Sequence, residues 1–202
     1  MNVMVIIHAL GSTGLFASRA FLPSFLTALL LRFGPEITVL DVQVFASVEG
    51  APTWFTHDIT LMVLGILSAI EMLAYKTPEG REFLLDVDKY IKTGSFGLAQ
   101  IGVINVADAK FAEDALQQPG PFNVIAVLIS LALVFGTSYL RSQVMKPFIE
   151  ADEDDDLGLQ GLFSWVEDLW VVIGILVLFV FPFLMLLAVV SVVGVMFVIR
   201  KR

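Results

Sequence analysis

Arg19, Glu71, Glu167 and Asp168 are the ionisable residues that stand in or at the edge of long apolar runs. A charge inside an apolar helix is costly and normally faces a partner or a water-filled cavity. Arg19 lies deep in the first run, in Ser18-Arg19-Ala20-Phe21-Leu22-Pro23, and Glu71 lies near the end of the second. Glu167 and Asp168 open the last run, between Trp165 and Trp170. One reading places Arg19, with Ser18 beside it, and Glu71 in a polar cavity between helices, as an ion pair or a substrate contact, with Glu167 further along the same pathway. The bland reading is structural. Glu71 is then an interfacial residue one turn from Lys76, and Arg19 snorkels or pairs to lock two helices. Glu167 and Asp168 would sit at a helix start, which favours carboxylates, beside tryptophans at headgroup level.

Other chemistries find little footing. There is no cysteine, so disulfides, thiolate metal sites and a cysteine nucleophile are excluded. His8 and His57, far apart in sequence, do not suggest a metal or haem centre. No phosphate loop, Gly-x-Ser-x-Gly elbow or His-Glu-x-x-His pair occurs. Much of the net charge of −8 comes from Glu150, Asp152, Glu153, Asp154, Asp155 and Asp156, a surface that would repel nucleic acid. Asp152, Asp154 and Asp156 have the spacing of the first EF-hand ligands, but the turn glycine falls one place late at Gly158 and Phe163 replaces the terminal glutamate. A solvated acidic loop over 149–161, available for partner docking, is the better reading. The expectation is a protein with no cofactor and no metal, and nothing argues for an enzyme.

The segments that must position these residues are apolar. Of the 202 residues, 57% are hydrophobic and 16% charged, and mean hydropathy is +0.87. Leu169 to Ile199 contains no Asp, Glu, Lys or Arg, and about 20 apolar residues suffice to cross a bilayer. The N-terminus lacks the basic region of a signal peptide, so the first run is read as part of the mature protein. That run, from about Val3 to Leu31, is too long for one straight span. Gly11 to Gly14, then Ser18-Arg19, then Pro23 interrupt it, so it is either a strongly tilted and kinked helix or divided in two at the Gly11–Gly14 break, and Phe33-Gly34-Pro35 ends it. A second helix covers His57 to Tyr75. From Arg81 to Lys92, Phe83, Leu84, Val87, Tyr90 and Ile91 recur at helical spacing, which predicts a short amphipathic helix at the interface or packed on its own loop. Ser95 to Val106 is a short candidate crossing and Pro121 to Leu140 a full one. Pro182 breaks or kinks the final run, Phe163 to Ile199.

These segments predict an all-α, polytopic helix bundle of about four to six membrane segments, some broken or re-entrant. Its halves are 1–94 and 95–202. Lysine and arginine follow Tyr75 and Leu140 and close the chain, while 36–56 has neither. The positive-inside rule therefore puts the C-terminus and the loops after Tyr75 and Leu140 in the cytoplasm. The last run would then be a hairpin bent at Pro182, although its apex has no polar residue. A single long kinked helix is the alternative.

The two halves echo each other, Gly14 to Arg19 and then Glu71 against Gly136 to Arg141 and then Glu167, as in transporters built from repeats; chance similarity between apolar helices is the competing explanation. Ser18 to Pro23 together with Leu67 to Pro78 resembles an uncharacterised bacterial membrane family, domain of unknown function 4126. In that family a small polar residue precedes the arginine of the first helix, Leu-Pro follows it, a Glu and a Lys-x-Pro close the second helix, and a Glu-Asp opening precedes a long apolar tail. Tyr75 departs from the pattern, which has an acidic residue beside the lysine, and the acidic run at 150–156 is peculiar to this chain. The resemblance implies a bacterial inner-membrane address and no activity. The functional expectations are a small transporter or channel-like protein, or a non-catalytic accessory subunit of a membrane complex, embedded in lipid as a homo-oligomer or part of an assembly.

Overall fold

A computed structural model describes residues 3–33, 53–115, 121–151 and 159–200. Every regular element in them is helical: α1 (Val3–Ser18), α2 (Phe21–Phe33), α3 (Asp58–Ala74), α4 (Pro78–Ala115), α5 (Pro121–Ala151), α6 (Leu159–Val180) and α7 (Pro182–Arg200). Within α5, α6 and α7, Leu128–Lys146, Gly161–Val180 and Pro182–Ile199 are long and apolar enough to cross a membrane, and α2 is a shorter apolar helix. The chain is a helical-bundle membrane protein.

Its surface and interior are inverted relative to a soluble bundle. Ile59, Met62, Ile66, Ile70 and Leu73 form an exposed apolar face on α3, while Arg19, Lys92, Asp88, Arg141 and Asp168 are buried. In water that would waste the hydrophobic term; in lipid it leaves apolar faces in an apolar solvent and gathers polar groups where they pair.

Several expected boundaries move. The first run breaks at Arg19-Ala20, whereas Gly11 and Gly14 lie inside α1. They are packing positions: a Cβ on Gly11 would fall 2.9 Å from Leu178, and one on Gly14 2.7 Å from Val189. Pro23 does not break a helix either. It sits in the first turn of α2, where a missing N–H leaves no gap. The amphipathic stretch 81–92 is no separate helix but part of α4, which runs through Thr93-Gly94-Ser95 without interruption, so the chain does not divide at 94–95. Phe83 and Tyr90 do face outward, but the charged side, Arg81, Asp88 and Lys92, faces the protein and not water. Likewise Arg141 stands within α5, which continues to Ala151, and not in a loop after Leu140.

Pro182 is a true break, with Phe181 the one non-helical residue between α6 and α7. Neighbours along α1 fix the directions. Gly11, Leu15 and Arg19 meet α6 at Leu178, Gly174 and Ser164–Asp168, so α6 runs against α1. Gly11 and Gly14 meet α7 at Leu186 and Val189, so α7 runs with α1. The chain reverses at Phe181, as the hairpin expectation had it.

The acidic residues Asp152 to Asp156 lie outside the described residues, as does the connection 36–52.

Candidate functional site

α1, α2, α3, α4, α5 and α6 converge on one charged cluster. At its centre is Arg19, fully buried between α1 and α2. Its Nε donates to Asp168 Oδ1 at 2.8 Å and its Nη1 to Glu167 Oε2 at 2.8 Å. Nη2 donates to the Ser164 carbonyl at 3.0 Å and to Ser164 Oγ at 2.9 Å. The guanidinium lies 4.0 Å from the centroid of the Tyr75 ring. A buried arginine with every nitrogen engaged is the arrangement in which a membrane-embedded charge is tolerable.

Arg141 enters from α5 and grips the same glutamate, Nε to Glu167 Oε1 at 2.7 Å and Nη2 to Oε2 at 2.6 Å. Such fork-on-fork pairing is the strong, directional form of the interaction. Arg141 also reaches Asp88 Oδ2 at 3.5 Å, and Asp88 pairs with Lys92 one turn along α4. Lys76 Nζ closes the other side, 2.7 Å from Asp168 Oδ2 and 4.2 Å from the centroid of the Trp165 ring. Tyr75, almost fully buried, has Arg19, Lys92 and Arg141 within 4.0, 5.4 and 5.6 Å of its ring centroid. The electron-rich ring face thus stands among cations.

Glu71 does something different. It pairs neither with Arg19 nor with Lys76. Its Oε1 accepts from the Ala20 N–H at 2.5 Å, and Oε2 from the Phe21 and Leu22 N–H groups at 2.9 and 3.3 Å. These are the amides freed where the helix breaks, and the next residue, Pro23, has none to satisfy. A side chain from α3 therefore caps α2, and its charge suits a helix N-terminus. Arg81 does the complementary service at the end of α3, donating from Nε and Nη2 to the Tyr75 carbonyl at 3.1 and 3.0 Å.

The sequence candidates thus divide. Arg19 and Glu167 meet directly, and Glu71 sits alongside as a cap. Ser18 is peripheral: its hydroxyl bonds back to the Gly14 carbonyl at 3.1 Å. Glu167 and Asp168 are not interfacial helix-start residues, since α6 begins at Leu159 and both point into the cluster. Sequence reasoning missed Arg141, Asp88, Lys92 and Ser164. Arg141 was within reach, because the echo of Gly14–Arg19 ends on it. α1 and α5 both run into the cluster and deliver their arginines to one glutamate. The echo stops there: Glu71 lies where α3 arrives at the cluster, and Glu167 where α6 leaves it.

Depth completes the geometry. From Asp168 to the reversal at Phe181 is about 20 Å at helical rise. A hydrocarbon layer is about 30 Å thick, so one that began at Phe181 would enclose the cluster and end near Lys146. The chain matches no family model, no curated protein and no solved structure.

Proposed function

We propose that this protein is a small transporter of an ion or solute whose working element is the α1–α2 break and the charge cluster behind it, with Arg19, Glu71 and Glu167 on the pathway. The observation that carries the reading is the discontinuous helix. Its freed N–H groups point at a carboxylate, and a fully buried arginine sits at the gap. Broken helices that aim amide groups at an anion are the usual substrate and coupling sites of transporters. Here Glu71 occupies that position, so movement of Glu71 would free the helix terminus for another anion or re-pair it.

We place the cluster end on the cytoplasmic side of a bacterial inner membrane. Arg81, Lys92 and Arg141 are buried, so they carry no weight as loop charges. Lys89, Lys146 and the Arg200-Lys201-Arg202 end remain on the cluster side, against Arg32 in the last turn of α2 and Lys110 far along α4, and α7 directs its C-terminus toward the cluster end. The test is flux in proteoliposomes, with proton, potassium, chloride and phosphate gradients as probes, for the wild type, Arg19→Ala and Glu71→Gln. Wild-type flux that falls at least tenfold in both variants supports the reading. Equal flux in all three removes these residues from the mechanism.

A second reading, a non-catalytic subunit of a membrane assembly, is favoured by one observation. Only 11% of the α7 span is buried, leaving Leu184, Leu187, Val190, Val195 and Val198 exposed along it. Under that reading the acidic loop is a docking segment. A partner that co-purifies and is lost on deleting 150–156 would support it, and isolation as a lone homo-oligomer would count against it.

A further inference from the structure

Beyond the cluster, the bundle interior holds a second polar level, and an aromatic pair separates the two. The first level adjoins Glu71. Ser95 Oγ on α4 donates to the Ala20 carbonyl at 2.7 Å and lies 2.9 Å from Ser24 Oγ on α2. The second is further along α1 and α4, where Gln100 Nε2 donates to Ser12 Oγ at 3.2 Å. All four side chains are buried. From Ser95 to Gln100 is about 7.5 Å along α4. Between them Phe16 and Phe96 meet edge to face with ring centroids 5.2 Å apart, both essentially without exposure. Phe16 is one turn from Ser12 and one from Ala20; Phe96 is one turn from Lys92 and one from Gln100.

We propose that Phe16 and Phe96 form a hydrophobic gate on a water pathway, and that the pathway carries protons between the charge cluster and the Ser12–Gln100 level. The proposal rests on the transport reading and names its permeant. Hydroxyl and amide groups with no charge at the second level suit water, which needs two to four polar partners to enter a protein interior. They offer too few oxygens to strip a metal cation of its hydration shell. A dry aromatic constriction between two wettable levels blocks conduction until the rings part. The hydroxyl protons are held within the protein, Ser12 donating to the Ala9 carbonyl at 2.9 Å and Ser24 to the Ala20 carbonyl at 3.2 Å, so what the seam offers to water is the acceptor capacity left on these oxygens and on the Gln100 amide.

The experiment is proton leak into liposomes loaded with a pH-sensitive dye, after an imposed pH step, with valinomycin and potassium to dissipate charge. Wild-type leak is expected to be slow. Phe96→Ala should raise it at least tenfold, and Phe96→Leu should raise it two- to fivefold and serves if the alanine variant does not fold. Adding Ser12→Ala and Gln100→Leu to either variant should return the rate to the wild-type value. Folding is checked by monodisperse elution and an unchanged unfolding profile. A folded Phe96 variant that leaks at the wild-type rate overturns the gate, as does a leak indifferent to Ser12 and Gln100. Solute flux that depends on Arg19 and Glu71 without any such leak would sink the gate and leave transport standing. A leak of the expected pattern that Arg19→Ala and Glu71→Gln leave unchanged would keep the gate and remove those two residues from the transport reading.

Discussion

At Arg19-Ala20 and at Phe181 the chain leaves helical geometry for one or two residues between apolar helices, and it closes the two gaps in opposite ways. At Arg19-Ala20 the answer is to add acceptors. Glu71 takes the three freed amides, and carboxylates from α6 take the arginine that the break exposes. At Phe181 the answer is to remove donors. Pro182 begins α7 with no N–H to satisfy, and the Leu184 and Met185 amides both return to the Phe181 carbonyl at 3.0 and 3.2 Å. Both devices meet the rule that backbone groups in lipid find partners within the protein. They differ in what they allow. A break closed by a side chain from another helix opens when that side chain moves or gains a proton. A break closed by a proline has no such handle. That contrast is why function is sought at the first and not at the second.

The largest effect should come from breaking the polar closure at its centre. Arg19→Ala leaves Glu167 leaning on Arg141 alone, Asp168 on Lys76 alone, and the Ser164 carbonyl without its donor. Removing one partner of a buried pair costs about 3–5 kcal/mol. Thermal or denaturant unfolding in detergent should show a loss of that size. Arg19→Lys, which keeps the charge and loses the fork, should fall between the two. A loss below about 1 kcal/mol in the alanine variant would mean that the cluster is wetter and looser than the geometry describes.

How far this was legible in the sequence depended on what a residue answers to. Helix existence, the membrane class and the Pro182 break follow from local composition, and α3 at Asp58–Ala74 falls within two residues of the expected span. The arginine and glutamates stood out because charge in an apolar run is conspicuous on its own. Their pairing did not follow, because it depends on helix directions. Nothing local tells that α6 runs against α1, and that antiparallel run is what brings Asp168 and Glu167, not Glu71, to Arg19. Asp88 and Lys92 were hidden by habit. Charges on one face of an amphipathic helix point to water in a soluble protein, whereas in lipid the same face turns inward. Gly11 and Gly14 look like breaks for the same local reason, and it is Leu178 and Val189, seated against them from distant helices, that make them contacts.

A middle-sized effect should mark the apolar half, which close packing holds together. Val189 is branched and buried against Gly14, so Gly14→Ala forces a shift in a stiff neighbour. Overpacking costs about 1–3 kcal/mol, offset by about 1 kcal/mol of helix propensity gained. A net loss of up to about 2 kcal/mol is expected. Gly194, on the same α7, has open space where a Cβ would go. Gly194→Ala should therefore stabilise slightly, by up to about 1 kcal/mol. If the two variants shift the unfolding midpoint in the same direction, α1 and α7 are not packed as described.

The smallest effect is expected at Pro182, and its size locates the reversal in the bilayer. Pro182→Ala restores an N–H whose ordinary partner, the Leu178 carbonyl, comes into line only if α6 and α7 straighten into one helix. α1 resists that, because Gly11 packs on Leu178 and on the Pro182 carbonyl at once. The new amide then has water or nothing. Level with it are Trp54 and His57, reached through Gln100 on Ser12 and Gly102 on Phe55, and Trp54 is about half exposed, as a headgroup-level tryptophan would be. Phe181 and Phe183 are exposed as well. With the reversal at that level the amide is hydrated, and the loss should stay below about 1 kcal/mol, against about 1–3 kcal/mol for an amide left unpaired. Unfolding of Pro182→Ala measures the difference. A loss of 2 kcal/mol or more would put the reversal inside the hydrocarbon, and the layer enclosing the cluster would then have to extend past Phe181.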